Sequence, residues 1–301
     1  MIVYHNNNEI DREQWDNCIR NSPGARPYAY SWYLDIMAPG WQALVDDDYD
    51  SVFPVPGLSR YGFRYISTPK YLQQLGAFSP DKPVSSAIAE FLEYMPDFYR
   101  YIDLCVGQKT ETNGFSVFEK VNLELDLSDS YETLFNSFSD NCKRNIHSSS
   151  KHKYELITDI KPDEIINLLA ENNTEPVSIK NGDYQRLKNL VNFCIINRKG
   201  RIVGVRGARK KLMTGLFLIE TQGRKTILFL AGTPQGCEKG VDFFAVNELI
   251  KNSASTKAIL DFSDSSNPQG PMFFNSFGCK ILPYYRIFRN RLPWPLRLIK
   301  Q

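Results

Sequence analysis

The 301-residue chain lacks most of the features that would declare a chemistry at once. It has three histidines, His5, His147 and His152, and the sequence places no Ser or Cys partner for them, so a hydrolytic triad has no support. The six cysteines (Cys18, Cys105, Cys142, Cys194, Cys237 and Cys279) are scattered without a C-x-x-C pair. That excludes a zinc ribbon or a disulfide framework and fits reduced thiols in a cytosol. There is no apolar run of about 18 residues, hence no predicted transmembrane helix. The opening MIVYHNNNEI has neither a basic start nor an apolar stretch, and does not read as a secretory signal. Net charge is also small, at +2, but it is unevenly spread. Residues 1–120 carry 10 basic and 16 acidic groups, whereas residues 121–301 carry 26 and 18. The gradient has two readings: ordinary surface composition, or a second half that handles an anionic ligand.

What is present is enough apolar matter for real cores, with 42% hydrophobic and 13% aromatic residues. The length is generous for one domain and comfortable for two. Residues 200–288 are the most informative stretch. RIVGVRGAR (201–209), KLMTGLFLIE (211–220) and KTILFLAG (225–232) read as three successive strands. A loop, AGTPQGCEKG (231–240), leads to a helix from about Glu238 to Ser253, the strand AILDF (258–262), a short helix near 268–276 and the strand ILPYYRIF (281–288).

Upstream, Tyr131, Leu134, Phe135 and Phe138 recur at helical spacing within an expected helix 130–148. KYELIT (153–158) alternates like a strand, Pro162 opens a helix to about Asn172, and Tyr184, Leu187, Leu190, Val191, Cys194 and Ile195 mark another. From Lys153 the order is β-α-α-β-β-β-α-β-α-β. The first half repeats it more loosely, with strands at 2–5, 41–45, 51–55, 62–67, 101–106 and 115–127 and helices at 11–20, 30–37 and 84–95. Such a repeat predicts a duplicated α/β unit, divided as 1–127 and 128–301.

That order, occurring twice, resembles two GNAT acyltransferase folds in tandem, as in the Fem family of peptidoglycan-bridge aminoacyltransferases. FSDNCKRNIHSSSKHKYEL (138–156) resembles the segment that precedes the second Fem domain. LDFSDSSNP (260–268) resembles a "D-F-E-G-S" strand end, and FFNSFGCK (273–280) an "aromatic-x-x-F-G" turn. YLQQLGAFS (71–79) and Tyr30–Ser31–Trp32–Tyr33 look like first-domain features. The resemblance implies an α/β fold of two GNAT-like domains with mixed central sheets flanked by helices. It implies transfer of an acyl or aminoacyl group to an amine of a cell-envelope or sugar-nucleotide precursor. The donor would be acetyl-CoA or another acyl-CoA, or aminoacyl-tRNA, with no metal. Expected partners are a small-molecule or lipid-linked precursor and, for an aminoacyl donor, tRNA. The expected location is cytoplasmic, without stable membrane insertion, with contact at the inner membrane face as a further expectation.

Each candidate site has a plain alternative. Ala231, Gly232, Thr233, Gln235, Gly236 and Gly240 stand where a relative's backbone amides hold a pyrophosphate, although the glycine spacing departs from the family pattern, and a β-to-α turn needs such residues as well. Asp261 and Ser263 end a strand where ligands often bind and offer a base, while Asp264 and Ser266 could cap the next helix. The family's proton donor falls at Phe274, which cannot donate, and Tyr284 and Tyr285 are the nearest substitutes unless they simply pack. Lys143 and Arg144 could hold a diphosphate or serve as a solvated helix face. Trp32, Tyr33, Gln73 and Gln74 would suit a peptide or sugar substrate, or could bury one ring and cap a strand. The basic tail KILPYYRIFRNRLPWPLRLIKQ could touch anionic lipid or pack on its domain. Beside the transferase reading stand a non-catalytic binding module of the same fold and, from the basic second half, an RNA-binding protein.

Overall fold

A computed structural model describes all residues except 61, 83, 111, 173–180, 208–209, 264–269, 295–296 and 298–301. It falls into two compact units, residues 1–121 with 283–301, and residues 122–282.

In the first unit, β1 (Ile2–His5), β2 (Gln42–Asp46) and β3 (Ser51–Val55) make a small antiparallel sheet in that order. Helices α1 (Arg12–Asn21) and α2 (Ser31–Met37) precede β2. Asp11 starts α1 by accepting the amides of Glu13 and Gln14. The apolar residues of α1 recur on one face, which buries Trp15, Cys18 and Ile19. The Trp15 ring meets Trp41 edge-on at 4.7 Å, and its indole N–H donates to Ala29 O, so the ring buries without stranding its one donor. A second sheet holds β4 (Gly57–Arg60), β5 (Phe63–Ser67), β6 (Tyr99–Val106) and β13 (Lys280–Asn290), in that order, with α3 (Val84–Glu93) between β5 and β6 in the chain. Strand β4 is short and three of its four residues are exposed, so it carries no alternating signal to read from sequence.

The second unit follows β7 (Ser116–Asp126) and holds α4 (Tyr131–Ser137), α5 (Asp140–Ser150), β8 (Glu155–Ile157), α6 (Pro162–Asn172) and α7 (Asn181–Ile196). It continues with β9 (Gly200–Arg206), β10 (Leu212–Thr221), β11 (Arg224–Gly232), α8 (Pro234–Glu238), α9 (Val241–Lys251), β12 (Ile259–Phe262) and α10 (Gly270–Asn275). Its sheet order is β7-β12-β11-β10-β9-β8, with β11 and β12 parallel and the other pairs antiparallel.

Two expectations are corrected. The helix expected over 130–148 is two helices, because Ser139 adopts extended backbone and caps α5 by accepting the Cys142 amide. The helix expected from Glu238 is preceded by α8, and Gly240, at φ +66°, separates it from α9. The single cut at 127/128 does not coincide with the compact units. Within each unit an antiparallel pair, a parallel pair and an antiparallel pair run in series: β4-β5-β6-β13 in one, β10-β11-β12-β7 in the other. The final strand of each series comes from the opposite half of the chain. Strand β7 follows β6 yet pairs with β12, and β13 follows β12 yet pairs with β6.

This exchange makes the two halves interdependent. A fragment of residues 1–127 lacks β13 and leaves the β6 edge that faces it unpaired. It should give no cooperative urea transition, whereas the full chain should. A sharp two-state transition of the fragment alone would contradict the exchange.

Candidate functional site

Strand β11 is the centre of the second unit's site. Along one side it pairs with β10 from Thr221↔Arg224 to Thr214↔Gly232, with an irregularity at Leu228, where the register jumps from Leu218↔Ile227 to Phe217↔Phe229. Along the other side, parallel β12 accompanies it only from Arg224↔Ile259 to Ile227↔Phe262. Among the described residues, β11 therefore has no strand partner on that side from Leu228 to Gly232. Where this pairing ends, Ser263 Oγ donates to Ile227 O at 2.7 Å. Thr233 N–H donates to Met213 O at 2.8 Å. Strand alternation then turns the amides of Ala231 and Phe229 toward β10, and those of Leu230 and Gly232 toward the open side. Of the two neighbouring residues the sequence singled out, Ala231 turns its amide to β10 and Gly232 turns its amide away.

The paired end of β11 is held by charge. Arg224 Nη1 reaches Glu124 of β7 at 2.7 Å and Asp261 of β12 at 2.9 Å. Asn122 Nδ2 donates to the other Asp261 oxygen at 3.0 Å. Asp261 is 1% exposed, so both of its oxygens are engaged inside the protein. A carboxylate held in this way is a brace for three adjacent strands, and its lone pairs are already turned to protein donors.

The loop after β11 is closed on itself. Thr233 Oγ1 accepts Gly236 N–H, Pro234 has no N–H, and Cys237 N–H returns to Thr233 O. The amides of Lys239 and Gly240 bond to Gln235 O and Cys237 O. A Cβ on Gly236 would lie 2.8 Å from Met213 O, so this glycine is required by close packing. A Cβ on Gly232 would lie 2.7 Å from Asp242 Oδ1, which places a carboxylate under the end of β11. Burial pushes the Asp242 carboxyl above its ordinary range, and hydrogen bonds with Cys237 and Thr214 offset only part of that. Partial burial of the thiol and then the neighbouring Asp242 push Cys237 up to about 12, away from the thiolate form. A diphosphate would meet few unengaged amides here and one carboxylate. Thr233 and Gln235 do border a cavity of about 620 Å³, which Lys210, Lys211, Glu164 and Glu171 also line.

No family model and no curated protein sequence matches the chain. Solved structures do. FemX superposes with a TM-score of 0.68 at 10% identity, covering 100% of this chain and 99% of its own. The fold is Fem-like. A conserved protein of unknown function from Bacteroides thetaiotaomicron gives 0.61 at 12% identity, covering 96% and 100% of the two chains. L-PGS from Bacillus licheniformis gives 0.55 at 11% identity, covering 96% and 95%. At these identities the likeness speaks for the fold, which includes the two GNAT-like halves.

Within this Fem-like fold the expected site residues divide between the units. Asp261, Ser263 and the 231–240 loop belong to the second, whereas Tyr285 lies on β13 opposite Val106 in the first. Tyr284 is buried there, and burial pushes its phenol to about 12. Phe274 is core: its ring lies 4.7 Å from Phe262 and 4.9 Å from Phe273. The turn after it is structural, since Gly278 has φ +71° and a Cβ there would meet Ser137 Oγ at 2.3 Å and Ser137 O at 3.0 Å. Lys143 donates to Asn136 O at 2.9 Å beside the Phe135 ring, while Arg144 is exposed on α5. In the first unit Tyr33 is fully buried and donates to Tyr71 O, Trp32 stacks on Tyr30, Gln74 is buried and Gln73 half-buried. The Asp264 and Ser266 cap lies outside the described residues. Among the described residues no group of three or more His, Cys, Asp or Glu is arranged to hold a metal, and no helix is long and apolar enough to cross a membrane.

Sequence reasoning missed Arg224, Glu124, Asn122 and Asp242. Charged residues in or beside strands read as solvent-facing, and only Asp242, in the first turn of α9, carried a local signal. Asp242 also yields a test with a definite sign. A carboxyl raised in the folded state favours folding while protonated, and that contribution is lost as pH rises through its folded value. Asp242→Asn removes the ionisation and keeps an acceptor for Thr214. Urea midpoints should show the variant more stable than the parent at neutral pH, with the advantage disappearing below about pH 4. An advantage independent of pH would contradict the assignment.

Proposed function

We propose that the chain transfers an aminoacyl group from a charged tRNA to an amine, at the open side of β11. The observation that supports this reading is that the described pairing of β11 with β12 ends at Ile227, so that Leu230 and Gly232, whose amides alternate away from β10, have no strand partner there among the described residues of a Fem-like fold. The donor carbonyl rests against one of these amides. The amine attacks it directly, the carbonyl oxygen takes the negative charge, and the N–H donor stabilises that charge in the tetrahedral state, an effect often worth about 3 kcal/mol. The amine's proton leaves through water, since Asp261 is engaged by Arg224 and Asn122. Collapse of the tetrahedral state forms the amide and expels the tRNA ribose oxygen, which recovers a proton.

The choice of an aminoacyl donor over acyl-CoA rests on the loop. Its amides at Thr233, Gly236, Cys237, Lys239 and Gly240 have protein acceptors, which leaves few donors for a diphosphate. The acceptor we assign to the amine class only. A neighbouring structure assigned to a lysylphosphatidylglycerol synthetase from Agrobacterium fabrum, with a TM-score of 0.56, and the basic second half both suit an anionic, lipid-linked precursor. A second reading, a binding module that keeps the fold without chemistry, is favoured by one observation: Phe274 fills the proton donor's place and lies in the core.

Calorimetry with a charged tRNA mixture and with acetyl-CoA separates these readings. Saturable heat is expected with charged tRNA and none with acetyl-CoA. Tight binding of acetyl-CoA would overturn the donor assignment, and silence toward both would remove the transferase reading.

A further inference from the structure

The first unit contains a cavity of about 750 Å³ that the transfer reading does not use. It lies beside α3, residues 109–110 and 112–117, and the end of β13. Arg289, at 9% exposure, lines it. Its Nε and Nη2 atoms are buried and have no hydrogen-bond partner. These two nitrogens share one edge of the guanidinium plane, the edge that grips a carboxylate or phosphate with two parallel hydrogen bonds. The face of the guanidinium is occupied differently, with its carbon 4.6 Å from the centroid of the Phe115 ring. A second orphaned polar atom, Thr112 Oγ1, lies on the same wall.

A buried cation without a counter-charge is costly to keep, and native structures seldom leave such donors unmet. Burial and the neighbouring Arg291 hold the Arg289 guanidinium below its ordinary pKa, and Asp97 offsets only part of that. The charges around it define the missing partner. Arg291 and Lys109 line the cavity with Arg289, against Glu93 and Asp97. Arg291 lies 3.8 Å from Asp97 in an exposed pair, and Asp97 acts on Arg289 only through its field, with no hydrogen bond to Nε or Nη2. Among the described lining residues, three cations stand against two carboxylates, a balance that favours a monoanion over a dianion. Leu92, Met95 and Val117 add apolar wall, which suits a ligand body that is not itself highly charged.

We propose that this cavity binds a monoanionic oxyanion group, a carboxylate or a phosphodiester, held edge-on by Arg289 with Thr112 as an additional contact. The inference is independent of the transfer reaction, and its test involves no donor.

The test uses the full chain and three small probes: N-acetyl-dialanine for the carboxylate, dimethyl phosphate for the phosphodiester, and N-acetyl-dialanine amide as the uncharged control. Nitrogen-15 spectra of the arginine Nε resonances should show a saturable shift at Arg289 with at least one anion and none with the amide. The anion that shifts it identifies the source of the charge. By calorimetry, Arg289→Gln should weaken that binding by about tenfold or more, as expected for loss of a charge-assisted bidentate contact. The Nε titration needs only the parent chain, so the proposal stays testable if the variant folds poorly. Absence of a saturable shift with both anions, equal binding of the amide, or unchanged affinity in Arg289→Gln would each overturn the proposal.

Discussion

One guanidinium organises the second unit. Arg224 stands at the start of β11 and bridges Glu124 on β7 to Asp261 on β12, so three neighbouring strands are tied at one level of the sheet. Removing one member of such a buried ionic group typically costs about 3–5 kcal/mol, because the remaining charges lose their partner. From this tie the described pairing of β11 with β12 runs to Ile227, where the Ser263 hydroxyl makes a last link. The open edge of β11, its outward amides and the path of the following loop all depend on that fixed end. The aromatic cluster of Phe138, Phe243, Phe273, Phe274 and Phe277 packs beneath, with ring centroids 4.7 to 5.9 Å apart, each good pair adding about 1 kcal/mol beyond burial. A rigid base with a parted edge can hold a reacting carbonyl without a nucleophile of its own.

Much of the architecture was legible because it is written in local patterns. Pro162 opens α6 as its position promised, and the three strands β9 to β11 follow from their alternating and apolar runs. The break between α4 and α5 was legible in principle, since Ser139 and Asp140 form an N-terminal capping signal inside an otherwise helical stretch. The strand exchange was not. Strands β7 and β13 were both foreseen, but nothing in a strand's own sequence names its partner, and both pair with the half of the chain they do not follow.

The site was less legible for a related reason. Arg224 and Glu124 are 100 residues apart, so their meeting is a consequence of topology and not of spacing. Asp261 was picked out correctly as a strand-end carboxylate, yet the Arg224 contact that changes its meaning is invisible in one dimension. The loop glycines were singled out as a phosphate cradle, and packing explains Gly236 equally well, because Met213 O leaves no room for a side chain. Phe274, by contrast, could be read from sequence alone, since a phenyl ring has no proton to give.

The central claim is that β11 turns the Leu230 and Gly232 amides to a side without a strand partner, while the amides of Phe229, Ala231 and Thr233 turn to β10. Residue-resolved amide hydrogen exchange of the free protein addresses it directly. The account predicts slow exchange at Phe229, Ala231 and Thr233 and exchange faster by orders of magnitude at Leu230 and Gly232. Uniform protection across residues 229–233 would mean that the strand has a partner on both sides, and the proposed site would not exist.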